Sequence, residues 1–151
     1  MMNYPKLPGL TPDGRIYANE DMGTLEAFLP TGGYPTAHAP ALLELTDGTL
    51  LCAWFGGTYE GSADIRIICS RLEPESGRWT EPVDISGDPN RSEQNPSLFN
   101  GPDGAVWAVY TAQLDRQAGK DNMQFTSQIR CQKSTDGGRT WGAYETLFAR
   151  E

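Results

Sequence analysis

Short apolar runs alternate with turns rich in Gly, Pro and Asp along most of this chain, and no segment carries the apolar spacing of an amphipathic helix. Residues 40–45 read as a strand, with Leu43 and Leu45 on one side and Leu42 and Glu44 on the other. Thr46-Asp47-Gly48-Thr49 follows as a tight hairpin turn. Residues 49–55 are apolar on both sides, which predicts a buried strand. A loop over 56–63 leads to a third strand, 64–71, and a turn over 74–79 leads to a fourth, 79–85. The same order recurs as strands over 96–100, 105–112, 127–133 and 143–149.

The recurrence is visible in the letters themselves. Pro40–Trp54 (PALLELTDGTLLCAW) and Pro96–Tyr110 (PSLFNGPDGAVWAVY) align without a gap at an offset of 56 residues. Further on, Ile67, Cys69 and Arg71 match Ile129, Cys131 and Lys133 at an offset of 62, so six extra residues lie between Tyr110 and Ile129. Two copies of one four-stranded unit therefore occupy 37–87 and 94–151, behind a lead-in segment, 1–36. Arg15–Ala18 and Thr24–Leu29 are short extended candidates within that lead-in, whose pairing partner the sequence leaves open.

The turn before the last strand is Ser134-Thr135-Asp136-Gly137-Gly138-Arg139-Thr140-Trp141. Ser, Asp and Thr suit side-chain hydrogen bonds to nearby backbone, Gly suits a left-handed conformation, and Trp141 supplies an apolar anchor. Ser134, Asp136, Gly138 and Trp141 are thus expected to be structural. In the first unit the turn is degenerate: Trp79 is kept and the Asp is not.

Composition narrows the function classes. The chain has 151 residues, 17 Gly, 11 Pro and a formal net charge of −8. That charge argues against nucleic acid or an anionic membrane as partner. It argues only weakly against a small anionic substrate, because a local cluster of Arg outweighs the global field. No stretch is apolar enough to span a bilayer, and the first residues lack a secretory apolar core. Cys52, Cys69 and Cys131 fall inside strands, which predicts buried free thiols and a cytoplasmic setting. One His and no closely spaced Cys pair predict no metal site, and nothing calls for a cofactor.

Connections in an antiparallel four-stranded sheet alternate between its two ends. The short Asp-Gly hairpins and the Asp-containing turns share one end. The longer loops, 34–39, 56–63, 87–95 and 111–126, share the other, where function is expected. There the first unit offers His38, Tyr59, Glu60 and Asp64. The second offers Glu93, Gln94, Asn95, Asp115, Arg116, Lys120 and Asp121. Carboxylates and a Tyr around a concave mouth suit glycoside chemistry, in which one acid protonates the leaving oxygen and a second group stabilises or attacks the sugar cation.

Four segments together resemble one family: His38-Ala39-Pro40-Ala41-Leu42; Ala53-Trp54-Phe55-Gly56-Gly57-Thr58 with Glu60, Gly61 and Asp64; Asn95-Pro96 with Leu98-Phe99; and the turn at 134–141, which looks like an Asp box. The chain is similar over residues 37–149 to the BNR/Asp-box, sialidase-like proteins, exo-α-sialidases or neuraminidases. The resemblance implies an all-β fold, a sialidase-like β-propeller. Members are six-bladed and longer, so this chain would hold two four-stranded blades of a probable six. It also implies exo-acting hydrolysis of a terminal, possibly acidic, sugar. On this reading Asp64 is the catalytic acid, and His38, Tyr59, Glu60, Gln94 and Asn95 bind substrate. Sialidases grip the substrate carboxylate with three Arg, the first in an Arg-Ile-Pro motif. His38-Ala39-Pro40 stands at that place, so the first Arg is absent. The remaining Arg and the Tyr–Glu nucleophile pair belong to later blades. A carbohydrate ligand is the expected partner.

Two blades leave two apolar faces to be covered. A longer propeller, a ring of three copies or a partner protein would each cover them. The alternative function is a non-catalytic glycan-binding or scaffold propeller assembled from several such chains.

Overall fold

The computed structural model describes residues 5–6, 11–116 and 123–149. Among these residues ten strands form three antiparallel sheets. β1 (Tyr17–Asn19) and β2 (Thr24–Glu26) make a hairpin. β3 (Thr36–Glu44), β4 (Leu50–Gly57), β5 (Arg66–Leu72) and β6 (Val83–Asp84) make the first four-stranded sheet, paired in that order. β7 (Arg91–Asn100), β8 (Val106–Leu114), β9 (Gln128–Ser134) and β10 (Glu145–Phe148) make the second in the same order. The fold is all-β and of the propeller type, and the sequence repeat is a repeat of structure. A single 3₁₀ turn, Met123–Thr126, precedes β9.

The two hairpin turns are matched bond for bond. Leu45 and Thr49, like Gly101 and Ala105, close the turn through backbone hydrogen bonds of 2.8 Å. The carboxylates of Asp47 and Asp103 accept from the N–H two residues on, at 2.9 and 3.1 Å. Gly48 (φ 83°) and Gly104 (φ 80°) hold the left-handed position that the turn requires.

Two expectations need correction, and one left open is settled. β3 begins at Thr36 and β7 at Arg91, so 36–39 and 91–95 are strand, not loop. Proline cannot donate to a ladder, which is why Pro40 and Pro96 read as strand starts. Each is instead accommodated by a bulge, between His38 and Ala41 and between Gln94 and Ser97. Ala39 (φ 51°) and Asn95 (φ 55°) take the left-handed conformation there, at the same offset of 56 as the rest of the repeat. The fourth strands are shorter than expected, only Val83–Asp84 in the first sheet. The lead-in strands pair with each other.

The main core lies between the two large sheets. Side chains alternate along β4, so Leu51, Ala53 and Phe55 face the second sheet with Ile67 and Cys69 of β5. They meet Leu98, Val106, Ala108 and Tyr110 of β7 and β8. The other face of the first sheet carries Cys52, Trp54 and Ile68, together with Trp79. The lead-in covers it with Ala27, Leu29 and Tyr34. Backbone bonds from Gly14 and Ile16 to Trp79 and Gly77 pin it there. One of the two faces expected to be bare is therefore covered in part, with an apolar pocket left open between Leu29, Pro30, Cys52 and Trp54. A head-to-tail ring of copies through that face would first have to displace the lead-in. The outer face of the second sheet is open, with Phe99 and Phe148 exposed on it and Trp107 half-buried between β7 and β9.

The three cysteines are buried free thiols. Burial pushes the Cys52 thiol up to about 11 and the Cys69 thiol up to about 12, which keeps both protonated and unreactive. No helix among the described residues is long and apolar enough to cross a membrane.

Candidate functional site

The loops after β4, β6 and β8 gather at one end of the two sheets. Backbone bonds join them across the inter-sheet boundary. The Arg116 N–H donates to the Gly61 carbonyl at 2.8 Å, and the Glu93 N–H to the Ile65 carbonyl at 3.2 Å. The Ala63 N–H donates to the Asp115 carboxylate at 2.9 Å. Gly61 sits at φ 95° with the Arg116 side chain packed on it, so the crossing needs glycine on two grounds. The result is one continuous surface made from both repeats. Lys120 and Asp121 lie outside the described residues.

Tyr59, Glu60 and Asp64 are exposed in the loop after β4, Asn95 is exposed in β7, and His38 is exposed in β3, where it borders an apolar pocket with Leu29, Pro30, Cys52 and Trp54. The bulge in β3 presents His38, whose ring stacks on Phe55 with 5.4 Å between centroids. Asn95 is exposed because the second bulge turns it out. Gln94 differs from its expected role: it is 5 % exposed, and its amide donates to the Ser92 hydroxyl at 2.9 Å. It is a packed strand residue, unavailable to a ligand. The sequence reading put it in a loop; it lies within β7, in a run where Ser92, Glu93 and Gln94 are all buried.

Asp64 sits at the neck of the loop. Its carboxylate is bonded by the Ser62 hydroxyl and by the hydroxyl and N–H of Thr58, the latter at 3.0 Å. These donors, Ser62 first, hold it below the usual carboxylate range. A carboxylate so held is ionised at neutral pH and ties the loop together. It is suited to stabilising positive charge, and its low proton affinity makes it neither a ready acid nor a strong base.

Glu93, expected at the loop face, is 0 % exposed. Its partner is Arg130 of β9, at 3.2 Å, and the same guanidinium reaches Asp88 at 2.8 Å. Burial raises the Glu93 carboxyl against the pull of its Ser86 hydrogen bond and of Arg130. Burial also acts to raise Asp88, but the Asn90 N–H and Arg130 outweigh it and hold Asp88 low. The Arg130 guanidinium further bonds Gln128 and lies 3.9 Å from the centre of the Tyr144 ring. Nothing in the sequence marks this cluster, because Arg130 and Glu93 are brought together only by the pairing of β7, β8 and β9. A second contact missed at the sequence level is Tyr34, whose hydroxyl donates to Asp84 at 2.8 Å with Arg66 3.8 Å from the same carboxylate.

The Asp box lies at the opposite end and is structural in every contact. Asp136 accepts from the Ser134 hydroxyl (2.7 Å), the Thr140 hydroxyl (2.6 Å) and the N–H groups of Arg139 and Thr140. Ser134 in turn accepts from the Gly138 N–H at 2.7 Å. Trp141 packs against the inter-sheet core. The box leans on the first sheet, where Glu73 bonds both Arg71 and Arg139. No group of three or more potential metal ligands occurs among the described residues.

No match was found among curated proteins. Among solved structures, the chain is similar to a Hadza microbial sialidase, with TM-score 0.61 and 16 % identity over 74 % of this chain and 26 % of that one. It is also similar to a xylan β-1,4-xylosidase from Bacillus halodurans, with TM-score 0.58 and 19 % identity over 97 % of this chain and 34 % of that one. A protein of unknown function from Dyadobacter fermentans gives TM-score 0.55 and 21 % identity over 97 % and 34 %. The chain thus spans about a quarter to a third of the length of these structures. These likenesses are of fold, the fold of glycoside-hydrolase-like propellers. Residues 48–150 match the BNR repeat-like domain, and the chain belongs to that family.

Proposed function

We propose that this chain is part of a carbohydrate-active, sialidase-like propeller whose sugar site lies on the joined loop surface. The observation that supports this is that the loops after β4 and β8 are bonded to each other across the two repeats, with His38, Tyr59, Glu60 and Asn95 exposed on loops and bulges. The reaction is exo-acting glycoside hydrolysis of a terminal sugar. Asp64 serves in it as an ionised partner of the sugar cation, in keeping with its hydrogen bonds. His38 in place of an Arg favours a substrate without a carboxylate at that position, because imidazole lacks the permanent bidentate grip of guanidinium.

The engaged Asp64 also supports a second reading, a glycan-binding propeller without turnover. Methylumbelliferyl glycosides of sialic acid, xylose and other common sugars discriminate the two. Fluorophore release that is abolished in Asp64→Asn, with the melting temperature nearly unchanged, supports the hydrolase. Equal turnover in that variant removes Asp64 from the mechanism. Saturable sugar binding with no release supports the non-catalytic reading.

A further inference from the structure

A cleft opens between the outer parts of the two sheets, with the loop after β6 as one of its walls. It has a volume of about 660 Å³, within the range of small-molecule sites, and is bordered by Ser86, Asp88, Pro89, Asn90, Gln132 and Tyr144. Its walls are mixed. Tyr144 supplies an aromatic face, Asp88 a carboxylate and Asn90 an exposed carboxamide.

The support behind this wall is unusually firm for a surface cleft. Arg130 is buried beneath Tyr144, 3.9 Å from the ring centre, and is itself fixed by Asp88, Glu93 and Gln128. Gln132 donates to the Ile85 carbonyl at 2.7 Å and to the Gly142 carbonyl at 2.6 Å, which ties the two sheets together at the floor. Tyr144 is thus held on one face by a cation yet remains 47 % exposed. A ring clamped in this way loses little freedom when something stacks on its open face.

We propose that this cleft binds a neutral pyranose saccharide. The axial C–H face of the sugar stacks on Tyr144, and its hydroxyls bond Asp88 and Asn90. Each Asp88 oxygen already accepts one bond, from Arg130 or from the Asn90 N–H, and has a lone pair left for a sugar hydroxyl. The charge selects against acidic sugars: two carboxylates face one guanidinium, and the chain carries −8 overall. It does not select a cation instead, because the Tyr144 ring already shares its electron density with Arg130 on the opposite face. The site shares the loop after β6 with the loop surface but uses none of His38, Tyr59, Glu60, Asp64 and Asn95, so it does not depend on catalysis there.

The test is isothermal titration of the 151-residue chain with xylotriose and cellotriose, with sialyllactose and choline as controls. Binding of a neutral oligosaccharide is expected, weakened about tenfold in Tyr144→Ala and kept in Tyr144→Phe, which retains the stacking face. It is also expected to survive in His38→Ala, which separates it from the loop surface. Circular dichroism of Tyr144→Ala guards against a folding defect. Neutral sugars failing to bind, equal binding in Tyr144→Ala, loss of binding in His38→Ala, or preference for choline or sialyllactose would each overturn the proposal.

Discussion

Gly138 of the Asp box tests how the two sheets hold each other. Its φ of 81° is left-handed, and a methyl group added there would lie 3.0 and 3.1 Å from the two terminal carbons of Leu51. Leu51 is 0 % exposed and stands at the centre of the inter-sheet core. Gly138→Ala therefore carries two penalties. The left-handed backbone costs about 1–2 kcal/mol for a residue with a Cβ. Crowding a packed Leu adds about 1–3 kcal/mol, at the low end here because Leu51 can give by a few tenths of an ångström. The sum is about 2–4 kcal/mol, measured by urea unfolding followed through Trp fluorescence. The two parts separate in a double-mutant cycle. Leu51→Ala alone is expected to cost about 3–5 kcal/mol. Adding Gly138→Ala on that background should then cost only the backbone share, a coupling of about 1 kcal/mol or more. A Gly138→Ala variant as stable as the parent, or a coupling of zero, would refute the view that the box is wedged against Leu51.

Two further outcomes concern charge. Arg130→Met should destabilise by about 3–5 kcal/mol because it strands two carboxylates, and Glu93→Gln added to it should restore part of the loss; no recovery in urea midpoint would argue against the ion cluster. Asp136 is held well below the usual carboxylate range, chiefly by Thr140 and then Ser134. Its contribution is therefore complete above the unfolded value of about 3.9 and fades as pH falls, so Asp136→Asn should flatten the acid limb of a stability profile. Glu93, raised by burial, works in the opposite sense: its contribution is present below the unfolded value and is lost as pH rises through the folded one.

The architecture was largely legible in the sequence, because the Asp-Gly hairpins at 47–48 and 103–104 punctuate runs whose alternation is plain. Leu43 and Leu45 pack inward while Leu42 is exposed, as the alternation requires. The strand starts were not legible. Pro40 and Pro96 look like boundaries, and only the backbone reveals that a bulge lets the ladder pass them. That one misreading moved Glu93 and Gln94 from a buried strand to a surface loop. The donors around Asp64 are local, and Thr58 and Ser62 could have been weighed as its partners. The Arg130 cluster could not, since its members are joined through three strands and no spacing records it.

Each box rests on something made before it: the second on Leu51 and Arg71 of the first sheet, and the degenerate first one on Gly14 and Ile16 of the lead-in. Synthesis runs in the same direction. A nascent chain leaving the ribosome would therefore find the support for each box already synthesised, while the inner face of the first sheet waits for β7 and β8. Folding force on a stalled chain should accordingly rise in steps, one as each Trp of a box emerges, with Trp79 before Trp141.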